Sequence, residues 1–151
     1  MKNLFDVSLA GEIKDRVTRL TPESQRQWGT MTAAQAMAHC SASMEWAVGD
    51  RRPPRAGLGL RIMGRIVKPL ALGNDSPLRR NSPTSEDLVV SDERNLAREQ
   101  VRLCGLIARF VAGGSKGCTS APHTFFGPLT PEEWATLTCK HLDHHLRQFG
   151  V

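Results

Sequence analysis

The 151-residue chain has no apolar run long enough to cross a membrane. Its opening stretch, MKNLFDVSLAGEIKDR, lacks the apolar core of a secretory signal. No Cys-x-x-Cys pair occurs among Cys40, Cys104, Cys118 and Cys139, and their spacing fits no disulfide framework. The expectation is four reduced thiols in a cytoplasmic protein, with Cys118, in a Gly/Ser-rich loop, the most exposed. Low-complexity tracts and internal repeats are absent. The echo of Leu20-Thr21-Pro22-Glu23 in Leu129-Thr130-Pro131-Glu132 reads as two helix starts. Period-two alternation of apolar and polar residues is almost missing, which speaks against a sheet. The length suits a single domain over residues 1–151, able to bury a core without disulfide or metal staples.

The net charge of +5 is unevenly placed. Residues 50–80 hold eight basic side chains (Arg51, Arg52, Arg55, Arg61, Arg65, Lys68, Arg79 and Arg80) against Asp50 and Asp75. One segment therefore carries the whole basic excess. The plainer reading is a solvated connection, with nucleic acid and membrane not expected as partners; the alternative is a binding protein whose 50–80 segment contacts an anionic partner, nucleic acid or an anionic membrane surface. The stretch contains no aromatic residue, so a base-stacking platform is missing.

Helix signals are strong. Asp6 predicts a cap for a first helix over about Ser8–Arg19, and Thr21-Pro22 a short helical turn to Gln27. Thr32 and Gln35 have capping-box spacing before an Ala/Met-rich second helix ending at Val48-Gly49. Apolar residues surround most of this helix, which predicts that it is the most buried. A long connection follows, with room for a short basic helix over Leu58–Leu72 and an extended piece at Leu88-Val89-Val90. Ser91 predicts the start of a third helix that Gly113-Gly114 stops. Thr130, Pro131 and Glu133 predict a fourth helix to about Phe149. The expected fold is all-α, a four-helix bundle with a long crossover between helices 2 and 3.

Three of five histidines fall within Lys140-His141-Leu142-Asp143-His144-His145-Leu146-Arg147-Gln148. At about 100° per residue, His141 and His145 share the core-facing stripe with Trp134, Leu137 and Gln148. His144 lies at the stripe's edge, and Asp143 is expected in water. Buried imidazoles need partners, and histidines at i and i+4 can converge on one cation. The zinc-protease helix also uses this spacing, but Leu142 stands where its glutamate belongs. On the second helix His39 sits among Ala36, Ala38, Ala42 and Ser43, with Gln35 and Ser43 placed to bond its second nitrogen. Antiparallel neighbours would bring His39, His141 and His145 to one end of the bundle, with Trp28 and Arg80-Asn81-Ser82-Pro83-Thr84. His123 would lie about 25 Å away at about 1.5 Å per residue. The plain alternative is a hydrogen-bonded core His39 and a frayed C-terminal cluster. His144 is the candidate proton carrier, because no Asp or Glu is clearly placed on an inner face. Trp28, Gln35, Asn81, Ser82, Thr84 and Gln148 are candidate pocket-lining residues, whereas Trp46 and Trp134 read as core.

His39 with His141-x-x-x-His145 ahead of Arg147-Gln148 resembles the DinB-like/YfiT-like metalloenzyme superfamily. Gln25-Arg26-Gln27-Trp28-Gly29, Ala38-His39-Cys40, Arg80-Asn81-Ser82-Pro83-Thr84 and Pro122-His123-Thr124-Phe125-Phe126-Gly127 resemble more closely a branch of it of unknown function. The resemblance spans nearly the whole chain. It implies an up-down-down-up four-helix bundle and a three-histidine divalent metal site, often zinc or nickel, here His39, His141 and His145. It also implies a small-molecule substrate for a thiol-dependent transferase or a hydrolase, with a low-molecular-weight thiol in the first case, and allows a homodimer. Leu146 departs from the superfamily's commoner ending, in which arginine directly follows the last histidine, and this turns Arg147 by about 100°.

Overall fold

Asp6 accepts from the amides of Ser8 and Leu9 and starts α1, Val7–Thr18. Thr32 and Gln35 close a capping box at the head of α2, Ala33–Ala47. α3 spans Leu58–Leu72, α4 Leu96–Gly113 and α5 Pro131–Gln148, the last opened by the Thr130/Glu133 capping box. These five α-helices make an all-helical chain with no strand in the computed structural model, which describes residues 1–151. The expected third and fourth helices are α4 and α5.

α1 buries Ala10, Ile13 and Val17, a single helical stripe. α2 is buried on nearly every side, and its small residues let α4 approach along its length. α1 packs on α4 and α5, and α2 on α4 and α5, around Trp46, Trp134, Phe110, Ile13, Met37, Leu103, Ile107, Leu142 and Leu146. Both tryptophans expected in the core are there, each 1 % exposed. Arg102 of α4 bridges Glu45 of α2 and the buried Glu99, an ionic tie across the same helix pair.

The chain departs from the sequence reading at four places. Residues 22–27 form no helical turn; a Thr21–Ser24 turn is closed by the Ser24 amide on the Thr21 carbonyl, and bends follow. α4 starts at Leu96, because Asn95 rather than Ser91 accepts the Arg98 amide. Glu86–Leu88 is a turn of 3-10 helix, with extended backbone only from Val89. Asp143 is only partly in water, because it also pairs with Arg16 of α1 at 2.8 Å.

α3 makes its helix contact with α5. Lys68 holds Glu133 and the Pro128 carbonyl, and Lys140 reaches back to the Ala71 and Asn74 carbonyls. Gly64 faces Phe125 so closely that a Cβ there would overlap the Phe125 carbonyl oxygen. Gly64→Ala therefore forces α3 off the loop. Urea unfolding of the core should shift little, whereas trypsin cleavage at the arginines of α3 should accelerate clearly. Unchanged cleavage would show that α3 accepts the methyl group in place.

Candidate metal centre

His39 leaves the first half of α2, and His141 and His145 leave successive turns of α5. The three rings form an equilateral cluster: each pair of centroids is 4.8 Å apart, at interplanar angles of 63–88°. One nitrogen from each ring lies within 4.8 Å of the other two, and Nε2 of His39 and of His141 are 2.9 Å apart. His39 and His145 are buried, and His141 is nearly so.

The protons on these rings follow from their neighbours. Gln148 donates from its amide nitrogen to the Trp28 carbonyl at 2.7 Å, so its oxygen faces His145. That oxygen lies 2.9 Å from His145 Nδ1, which must donate, leaving the lone pair on Nε2. His39 Nδ1 donates to the Leu88 carbonyl at 2.8 Å, which leaves a second lone pair on Nε2. Carbonyl or amide groups thus fix two of the three tautomers in the form that binds metal. Without a cation, one proton on His141 has two lone pairs to serve, and at most one of them is satisfied at a time.

Burial keeps the rings neutral. It lowers His39, where the Leu88 carbonyl opposes the shift; it lowers His141 strongly, with His145 and His39 adding to the effect; and it lowers His145 to about 3. Neutral imidazoles are the form a metal needs. A tetrahedral zinc ion with three imidazoles at about 2.0–2.1 Å places their nitrogens about 3.3 Å apart, within the span of this cluster. The donor set, the tautomers and the charge state all fit a divalent cation.

The other expected site residues fall in different places. His144 is half-buried, 5.0 Å from the His145 ring and edge-on to Trp28 at 5.6 Å; burial is the main cause that lowers its pKa. Gln148 joins His145 to the Trp28 backbone. Gln35, instead of bonding His39, is used by its capping box and by the Asp92 carbonyl. Ser43 makes no bond to His39 either; Leu88, 49 residues along the chain, takes that role. Asn81, Ser82 and Thr84 are exposed, Ser82 bonding the Arg79 carbonyl. It is Arg80 that reaches the site's margin, its guanidinium 4.1 Å above the Trp28 ring. His123 stays out of the trio, but its loop folds inward. Its ring packs between Trp46 and Trp134, and its Nδ1 accepts the Phe125 and Phe126 amides. Arg147 is exposed while Leu146 is fully buried, as a 100° turn requires.

A family profile described as "Protein of unknown function (DUF1569)" matches residues 4–150. The chain belongs to this family. That description assigns no activity to DUF1569, and nothing in it ties the family to the DinB-like proteins. Comparison with curated proteins and with solved structures finds no match.

Two outcomes follow from this geometry. Gly29 has φ +75°, and a Cβ on it would stand 2.5 Å from Gln148 Nε2. Gly29→Ala and Gln148→Ala should each weaken metal affinity about 10–100-fold, as loss of an orienting partner does; unchanged affinity in both would remove Gln148 from the site. The second outcome concerns pH. His123 and His145 have folded pKa values of about 4 and about 3, below the ordinary 6.5. Above 6.5 neither folded nor unfolded chain binds these protons, so the two histidines add no pH dependence to the stability of the metal-free protein. Below 6.5 the unfolded chain binds them first, and stability falls until the folded values are reached, by about 1.4 kcal/mol per unit of difference. Urea midpoints across this window should fall steeply, and less so in His123→Phe.

Proposed function

We propose that His39, His141 and His145 hold a divalent cation, zinc or nickel, and that the protein is a metal-dependent enzyme acting on a small molecule, by thiol transfer or by hydrolysis. The observation that carries this reading is the pair of fixed tautomers within the cluster: Leu88 and Gln148 leave Nε2 unprotonated on two of three imidazoles whose nitrogens lie within 4.8 Å of one another. Imidazole suits either metal. Three ligands leave a position open, as catalytic sites do. The likeness to the DinB-like superfamily supports the same reading, with α1, α2, α4 and α5 as its up-down-down-up bundle and the chain between α2 and α4 as the crossover.

A bound cation would supply Lewis acidity to a small nucleophile, water or thiol. The protein's own residues do the rest. His144, neutral, beside His145 and edge-on to Trp28, would serve as the proton acceptor. The chain offers no thiolate of its own. Burial raises Cys40 and Cys104 and pushes Cys118 and Cys139 up to about 11. In the transfer reaction the thiol would therefore be a cosubstrate. Four free cysteines support a cytoplasmic setting.

Metal content of tag-free protein, read by mass spectrometry, tests the assignment. Near-stoichiometric zinc or nickel should be retained, and lost in His39→Ala, His141→Ala and His145→Ala while circular dichroism keeps its helical signal. Wild-type protein that neither carries metal nor takes it up would overturn the reading.

A further inference from the structure

α3 is turned the wrong way for a core helix. Leu58, Ile62, Met63, Ile66 and Leu70 are 53–74 % exposed, the largest such group in the molecule. At about 100° per residue they cover one arc of about 140°. The opposite side, with Gly64, Lys68 and Leu72, docks on the loop at Phe125 and on α5. That docking fixes the apolar arc outward, so the exposure is built in and is not a frayed element.

The charge around the arc says what covers it. Arg65 stands on its margin, between the apolar arc and the docked side, and Arg61, also exposed, lies further round the helix in its first turn. Of the eight basic residues in 50–80, only Arg51 and Lys68 have an acidic partner within 4 Å. Arg52, Arg55, Arg61, Arg65, Arg79 and Arg80 are exposed without one. A second copy would meet this patch with the same patch across a two-fold axis, bringing arginines against arginines. A surface of anionic headgroups has the opposite charge and accepts an apolar face beneath it.

We propose that α3 is an interfacial anchor, lying flat on an anionic lipid surface with Ile62, Ile66 and Leu70 among the acyl chains, Arg65 at the headgroups and the exposed Arg61 adding its charge above them. No helix is long and apolar enough to cross a membrane, so the contact is peripheral. The anchor does not depend on the metal reading.

Sedimentation of the full chain with vesicles tests it, using phosphatidylcholine alone and phosphatidylcholine mixed with phosphatidylglycerol. Binding should be at least about tenfold stronger on the mixed vesicles and fall with added salt. The pair Ile66→Ser/Leu70→Ser should abolish it, and Arg61→Gln/Arg65→Gln should weaken it by about tenfold or more. These side chains are exposed, so helicity should not change; Leu58→Ser/Ile62→Ser is an independent second pair. No sedimentation with mixed vesicles would overturn the anchor, as would equal binding by the serine variants. So would a solution dimer that the serine variants split, which would assign the face to a second copy.

Discussion

The Gln148 amide binds in two directions at once, giving a hydrogen to the Trp28 carbonyl and taking one from His145. Because the first bond fixes which end of the amide is oxygen, the second fixes which nitrogen of His145 is bare. The Leu88 carbonyl does the same for His39. The candidate centre depends on these two constraints. A buried imidazole whose tautomer was free could satisfy itself against a neighbour and would be an ordinary core residue. Here the freedom is removed, and two lone pairs are left in a cluster whose third ring has one proton.

The fold supplies those constraints from distant parts of the chain. α2 and α5 bring the three rings together, the 3-10 turn before α4 presents Leu88, and the bend at Gly29 delivers the Trp28 carbonyl. Gly29 needs its positive φ and the absence of a side chain, since Gln148 occupies the space a Cβ would take. α3 stands apart from this arrangement. It is held by Lys68, Lys140 and the close approach at Gly64, and turns a different chemistry, apolar and basic, to the outside.

Local signals carried most of the element boundaries. Asp6, Thr32 and Thr130 cap the helices they were expected to cap, because capping is a bond between residues two or three apart. Ser91 failed for the same reason: Asn95 is an equally good cap, and only packing chooses between them. The histidine trio was legible because helical spacing set two rings on one face and the buried, small-residue α2 had a single histidine to meet them. Leu88 was not legible, since any backbone carbonyl can accept and nothing in its side chain marks it. The inward fold of His123 was hidden too, because its loop has no period to extrapolate. For α3 the sequence reading predicted a short basic helix but neither its apolar arc nor the direction of that arc. Gly64 and Lys68 decide that, and their partners lie sixty or more residues away.

X-ray absorption at the metal edge of the loaded wild-type protein measures the ligand set directly. The structure predicts nitrogen or oxygen scatterers at about 2.0–2.1 Å with the outer-shell pattern of three imidazoles and no sulfur. A sulfur shell at about 2.3 Å, or a pattern with fewer than two imidazoles, would contradict the centre formed by His39, His141 and His145.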